Sequence, residues 1–289
     1  MGLIKRVGAT VILACAAVLT AAAPAPAAVT IGQVAPSGGA LLTCDTAATD
    51  LLQPSVTAGG NLYSARAAGT ITSWSTRSGG SGSFTLKVFR RTTDPDVFRV
   101  IGHSGPHALS AGLNSFPANL TVSSGDLVGL NAMGAGNTCA FGSPGDFVLT
   151  SGGNLPDGGS GNFPPGGAMG NVRLNLSATL VPTNAFSVRR ITRDRRKGTA
   201  TLEILVSNPG SVTLVGNGLK AKRATKTVAV PGVVRFGIAV TGKRKKKLER
   251  KGRVSLQLNA TFTPTGGDPA VQTLRIGLKK RSSNRGARI

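Results

Sequence analysis

The sequence predicts an all-β protein made of two sandwich domains, and three observations carry that reading. Forty glycines and sixteen prolines punctuate the chain, which suits many short strands joined by tight turns. Several runs alternate apolar and polar residues with a period of two, the signature of a strand with one buried face. Aromatic residues make up only 4%, so the cores must be built chiefly from Val, Leu, Ile and Ala. A length of 289 residues is enough for two medium domains, each with its own core.

The first residues read as a secretory signal. Lys5 and Arg6 precede an apolar stretch from Val7 to Ala23, and Ala25-Pro26-Ala27 has the form of an A-x-A cleavage site. Residues 1–27 are therefore assigned to a signal peptide cleaved after Ala27, and the mature protein is expected outside the cell or at its envelope. Ile12-Leu13-Ala14-Cys15 resembles a lipobox, but the apolar run continues past it through Val18 and Leu19, which favours ordinary secretion. No other segment approaches the ~20 apolar residues that cross a bilayer. Removal of the signal leaves Cys44 and Cys139. An even pair in an exported chain favours a disulfide, and only one pairing is available. Closing so long a loop stabilises by at most ~4–5 kcal/mol in the chain-entropy account.

Residues 28–183 read as strands separated by Gly/Ser/Asn turns. Candidates run from Gly69 to Ser75, Phe84 to Arg91, Phe98 to His103, Ser115 to Val122, Leu127 to Asn131, Phe147 to Thr150 and Val172 to Leu180. In the last, Val172, Leu174, Leu176, Ala178 and Leu180 share one face. This many strands in such a length suggest a jelly-roll-like sandwich. The glycine-rich segment from Ser151 to Gly170 is expected to be a mobile surface insertion, because it offers little to pack.

Residues 184–280 form a second unit, bounded at Val181-Pro182-Thr183-Asn184 by a shift in charge. From Ala28 to Thr183 the net charge is zero, and from Asn184 to the end it is +21. Seven strands are expected here: Phe186 to Ile191, Thr199 to Ser207, Val212 to Gly216, Ala224 to Val230, Val233 to Thr241, Arg253 to Thr263, and Ala270 to Lys279. Their inward sets follow the period of two, as in Ala200, Leu202, Ile204 and Val206, or Val254, Leu256, Leu258, Ala260 and Phe262. Seven short strands in this length match an immunoglobulin-like sandwich, without the Cys-Trp-Cys signature of antibody domains. Residues 281–289 are expected to be a disordered basic tail.

The stretches "RKGTATLEILVSNPGSVTLVGNGLK" and "GKRKKKLERKGRVSLQLNATFTPTGG" resemble lysine-rich, Ig-like C-terminal domains of secreted proteins from high-GC Gram-positive bacteria. The resemblance covers about residues 184–280. It implies export and a sandwich fold, and it implies no reaction and no functional residues.

Strand alternation also says where the charge goes. If successive strands of the second unit run in opposite directions, its odd connections lie at one end and its even connections at the other. The even connections "SNPGS", "VPG" and "PTGGDP" are neutral or slightly acidic. The odd ones are "RDRRKG" with Arg193, Arg195, Arg196 and Lys197, "KAKRATK" with Lys220, Lys222, Arg223 and Lys226, and "KRKKKLERKGR" with Lys243, Arg244, Lys245, Lys246, Lys247, Arg250, Lys251 and Arg253. Their net charges are +3, +4 and +7, and the tail from Lys279 adds +5. The run "KRKKKLERKG" is expected to be a solvated loop with Leu248 tucked under the sandwich. Gathered at one end, these cations would draw polyanions in a salt-dependent way. The basic connections hold no Phe, Tyr or Trp for base stacking, so sequence-specific nucleic-acid recognition is not supported. An exported protein meets anionic wall polymers and lipid headgroups first, and these are the expected partners.

The residues give little support to an enzyme. His103 and His107 are the only histidines, they lie in a turn-rich segment, and no G-x-S-x-G elbow accompanies them. Residues 28–183 contain Asp but no Glu, and Asp94, Asp96 and Asp126 sit in expected turns. No spacing indicates a metal or cofactor site. The competing expectation is a carbohydrate-binding protein acting through the first domain, with Trp74 and Tyr63 as stacking platforms.

Overall fold

The computed structural model describes residues 27–44, 47–57, 62–134 and 136–281. The expected signal up to residue 26, with Cys15, and residues 282–289 of the expected tail lie outside them. The described chain is all-β, with antiparallel sheets and one α-helix among the described residues.

Residues before Ala185 form β1 (Val29–Gln33), β2 (Leu41–Leu42), β3 (Thr49–Leu52), β4 (Gly69–Ser78), β5 (Ser83–Arg91) and β6 (Val97–Ala108). They continue through β7 (Gly112–Val122), β8 (Leu127–Met133), β9 (Ala140–Gly152), β10 (Ser160–Asn162), β11 (Met169–Leu174) and β12 (Leu176–Pro182). One sheet has the order β1-β12-β4-β7, and the larger has β10-β6-β5-β8-β3-β9-β11 with β2 beside β9. Ile71, Trp74, Leu86, Leu130 and Leu176 pack in the cluster between them. Cys44 and Cys139 are joined as a disulfide, their Cα atoms 5.8 Å apart.

The expected strand from Val172 to Leu180 is two strands. β11 pairs with β9 in the larger sheet, and β12 pairs with β1 and β4 in the smaller one. The chain changes sheets at Asn175, whose buried amide takes over the backbone pairing lost there. Its Oδ1 accepts from the Ala35 and Arg77 N–H groups, and its Nδ2 donates to the Arg77 and Thr138 carbonyls. The alternating apolar set survives the crossing because both sheets face one core.

The glycine-rich segment corrects an expectation. Phe163 within it is fully buried, packed edge-on to Phe89 at 5.5 Å and Phe98 at 5.6 Å. Together with Leu52, Val100, Leu127 and Leu149, these rings make a second cluster on the outer face of the larger sheet. Burying one such ring contributes about 1.5–3 kcal/mol. One aromatic residue therefore holds down a segment whose composition reads as loose. From Phe84 to Phe89, β5 consequently has no solvated face: Phe84, Leu86 and Val88 point into the sandwich, and Lys87 is buried on the other side.

Residues after Thr183 form β13 (Phe186–Asp194), β14 (Thr199–Val206), β15 (Gly210–Gly216), β16 (Arg223–Val228) and β17 (Gly232–Ile238). The helix α1 (Gly242–Lys251), β18 (Arg253–Pro264) and β19 (Ala270–Lys279) complete them. The sheets β13-β14-β17 and β16-β15-β18-β19 sandwich a core made of the expected period-two sets, including Leu202, Ile204, Phe236, Leu256, Phe262 and Ile276. The fourth strand pairs with the third, on the side opposite to its place in immunoglobulin constant domains.

Strands before and after Pro182 share no sheet. At the junction, buried Asn208 in the β14–β15 turn accepts from the Ala68 N–H at 2.7 Å and donates to the Ala68 and Thr183 carbonyls. Nearby, Gly267 in the β18–β19 turn lies against Pro182. The neutral end of the second sandwich thus faces the first, and its other end points away.

Candidate polyanion-binding site

The expected solvated loop is the helix α1, which corrects the sequence reading. Its sequence argues against an isolated helix. Lys243, Arg244 and Lys245 sit in the first turn, where the helix dipole is positive, and no acid accompanies them. Lys243 and Lys247, and Lys247 and Lys251, are like charges four residues apart, which destabilise a helix. Two features hold it. Leu248 is buried in the core beneath it, as expected, and Gly252 ends it in the left-handed region at φ 66°. Arg250 and Lys251 in the last turn suit the negative end of the dipole.

The three basic connections meet at this helix. A Cβ placed on Gly198, in the β13–β14 turn, would lie 2.9 Å from Leu248 Cδ2 and 3.2 Å from the Lys280 Cβ. The β15–β16 connection reaches the same place: Thr241 N–H donates to the Gly218 carbonyl, and Lys220 N–H to that of Ala239. Lys280 N–H donates to the Gly252 carbonyl and Arg281 N–H to that of Arg195. Lys197, Lys220, Lys245 and Lys280 surround a recess of roughly 310 Å³, with Leu248 and Thr241 in its wall.

The acids at this end are few and engaged. Asp194 organises its turn by accepting the N–H groups of Arg196 at 2.9 Å and Lys197 at 3.0 Å. These contacts, led by the Lys197 N–H, hold its carboxyl below the ordinary value. Glu249 lies 3.9 Å from Lys280.

Of the candidate cations, Arg195, Arg196, Lys197, Lys220, Lys222, Arg223, Lys243, Lys245, Lys246, Lys247, Arg250 and Lys251 are exposed. Two are tied to backbone. Arg193 donates to the Gly277 carbonyl, and Arg244 donates to that of Ser255. The Arg244 stem crosses Gly218, where a Cβ would fall 2.3 Å from Arg244 Cδ. Arg253 and Lys279, counted with the third connection and the tail, are paired across β18 and β19 and continue the same basic surface.

The aromatic platform is corrected. Trp74 is 1% exposed and Tyr63 2% exposed, so neither offers a stacking face to a sugar. Thr72 is an extra residue relative to β12, which pairs Ser73 with Thr179 and Ile71 with Leu180. That bulge turns Trp74 onto the face of Ile71, away from Thr72, against Phe116 and His107. The Tyr63 hydroxyl donates to the Leu174 carbonyl, and burial pushes its pKa up.

The histidines do not assemble a triad. His103 Nδ1 lies 2.8 Å from exposed Asp157, whereas the Ser104 hydroxyl is near His107, at 3.4 Å. His107 is stacked on Phe116. The acid and the hydroxyl are thus joined to different imidazoles. Among the described residues, no group of three or more His, Cys, Asp or Glu side chains is arranged to hold a metal ion.

No protein-family model and no curated protein matches this chain. Among solved structures, the chain is similar to a GH2 β-galacturonidase from Eisenbergiella tayi bound to galacturonate, with 9% identity and a TM-score of 0.21. That match covers 86% of this chain and 43% of the other. A β-glucuronidase from Ruminococcus gnavus matches at 10% identity and a TM-score of 0.20, over 79% of this chain and 44% of that one. A β-D-glucuronidase from Dictyoglomus thermophilum matches at 10% identity and a TM-score of 0.21, over 80% and 43%. The chain spans less than half the length of each. Likeness of that degree assigns this chain neither an activity nor a ligand.

Proposed function

We propose that this is an exported, non-enzymatic protein of the cell envelope or its surroundings. Its basic end attaches to anionic envelope polymers, such as wall polymers or lipid headgroups, and holds out the first sandwich. The observation that carries this reading is the convergence of three basic connections and Lys279–Arg281 on one end of the second sandwich. Charge spread only for solubility has no reason to gather at one end. The opposite, neutral end faces the first sandwich through Asn208, so the cations point outward. An anion over the first turn of α1 would also relieve the repulsion among Lys243, Lys245 and Lys247. The resemblance of residues 184–280 to basic domains of secreted Gram-positive proteins agrees with export.

Binding to wall teichoic acid, anionic vesicles or heparin tests the proposal. Affinity is expected to fall steeply with salt, because the gain is counterion release. Replacing Lys243, Lys245, Lys246 and Lys247 by Gln lowers both affinity and salt slope while leaving the fold intact, since exposed charges contribute little to stability. Arg244 is left in place because it supports the fold. Binding that does not change between low and high salt defeats the proposal.

A further inference from the structure

The most unusual chemistry in the molecule lies away from the basic end, under the glycine-rich segment. Lys87 on β5, Asn131 on β8 and Asp50 on β3 occupy three adjacent strands of the larger sheet. The register pairs Asp50 with Asn131 and Thr85 with Asn131, which makes Lys87 and Asn131 diagonal neighbours on one face. All three side chains are shut away from water, at 1%, 0% and 3% exposure for Lys87, Asp50 and Asn131. Lys87 Nζ lies 2.7 Å from Asp50 Oδ1 and 3.0 Å from Oδ2. Asn131 Nδ2 donates to the same Oδ1 at 2.8 Å. A third contact, from Lys87 Nζ to the Leu155 carbonyl at 2.7 Å, fixes the amine from above.

We propose that Lys87 and Asn131 become joined by an intramolecular isopeptide bond, with Asp50 as the proton relay. A buried primary amine beside a buried carboxamide is an acyl-transfer pair held in place by the fold, and such positioning replaces much of the entropy lost in a bimolecular reaction. The geometry selects the electrophile. Nζ contacts both oxygens of Asp50, which suits proton transfer between them, and a carboxylate is a poorer acyl electrophile than the carboxamide of Asn131. Asp50 Oδ1 touches both the attacking nitrogen and the nitrogen that departs.

The step balances without any other reactant. Asp50 takes one proton from the Lys87 ammonium, and the freed lone pair forms the Nζ–Cγ bond to Asn131. The Cγ–Nδ2 bond breaks with its electron pair on Nδ2. Two of the three original Nζ protons pass through Asp50 to the departing group, which leaves as ammonium. The third stays on the new amide, and Asp50 returns to its carboxylate. The bond would tie β5 to β8 in the centre of the sheet, in addition to the Cys44–Cys139 disulfide.

Mass spectrometry of the full chain after reduction and alkylation tests this. Tryptic digestion is expected to give a branched product joining residues 78–90 to residues 100–173, lighter than the two peptides together by one ammonia. Lys87 is then a missed cleavage. In Asp50→Ala the same peptides are expected to be separate, and in Lys87→Arg likewise. Separate, unmodified peptides from the wild-type chain overturn the proposal, whatever the variants do. A link from Lys87 to Asp50 with loss of water overturns it too, because the electrophile would then be the acid.

Discussion

At the scale of single residues, buried polar side chains do work that the strand pattern hides. Arg173 on β11 pairs with Asp146 on β9, and both are nearly free of solvent. Burial acts to raise the Asp146 pKa, yet contacts from the Thr57 N–H, the Ser143 and Thr57 hydroxyls and Arg173 outweigh it. The pKa falls from 3.8 to about 2. A depressed carboxylate stabilises the fold above its unfolded pKa and loses that contribution as pH falls through the folded one. Stability is therefore expected to decline between about pH 4 and pH 2, and Asp146→Asn should flatten that part of a denaturation-midpoint profile. A profile unchanged by the substitution would refute the assignment. Removing one partner also leaves a buried charge alone, at a cost of about 3–5 kcal/mol.

The helix α1 shows how an element can contradict its own composition. Ten residues with seven cations have little reason to be helical alone, since nucleation is unfavourable and like charges stack along the surface. Packing supplies the difference through Leu248. Leu248→Ala is expected to cost about 2–5 kcal/mol of stability and to lose α1 first, which hydrogen exchange at Lys245 to Glu249 would register as early loss of protection. Equal protection in the variant would mean that the helix stands on something other than its anchor. The sequence reading found the anchor and missed the helix, because a single apolar residue in ten carries no period.

For the whole molecule, the division at Pro182 to Asn184 remains our proposal, and it makes a measurable demand. Limited proteolysis should cut there first, and a fragment of residues 184–281 should show its own cooperative thermal transition. Asn208→Ala removes three hydrogen bonds at the junction, taking partners from the half-buried Ala68 N–H and Thr183 carbonyl and leaving the Ala68 carbonyl with the Thr183 N–H. Its expected cost is about 1–3 kcal/mol, seen as faster cleavage at the junction with little change in the melting of the isolated fragment. A cleavage rate unaffected by the substitution would show that Asn208 does not hold the two sandwiches. The glycine-rich segment is not an expected cutting site, because Phe163 and the paired β10 hold it on the sheet.

The strands of the second sandwich could be read in advance because a period of two is local: Ala200 to Val206 and Val254 to Phe262 declare their inward face without reference to anything else. The same alternation, counted through the turns, put the basic connections at one end. Burial of the other face is not local. Whether Lys87 is solvated depends on Phe163, far along the chain, and whether Trp74 points in or out depends on one extra residue at Thr72. The sheet change at Asn175 and the meeting of Lys87, Asp50 and Asn131 likewise depend on pairings between distant strands. Those pairings are made by packing in three dimensions, and no stretch of the chain contains them.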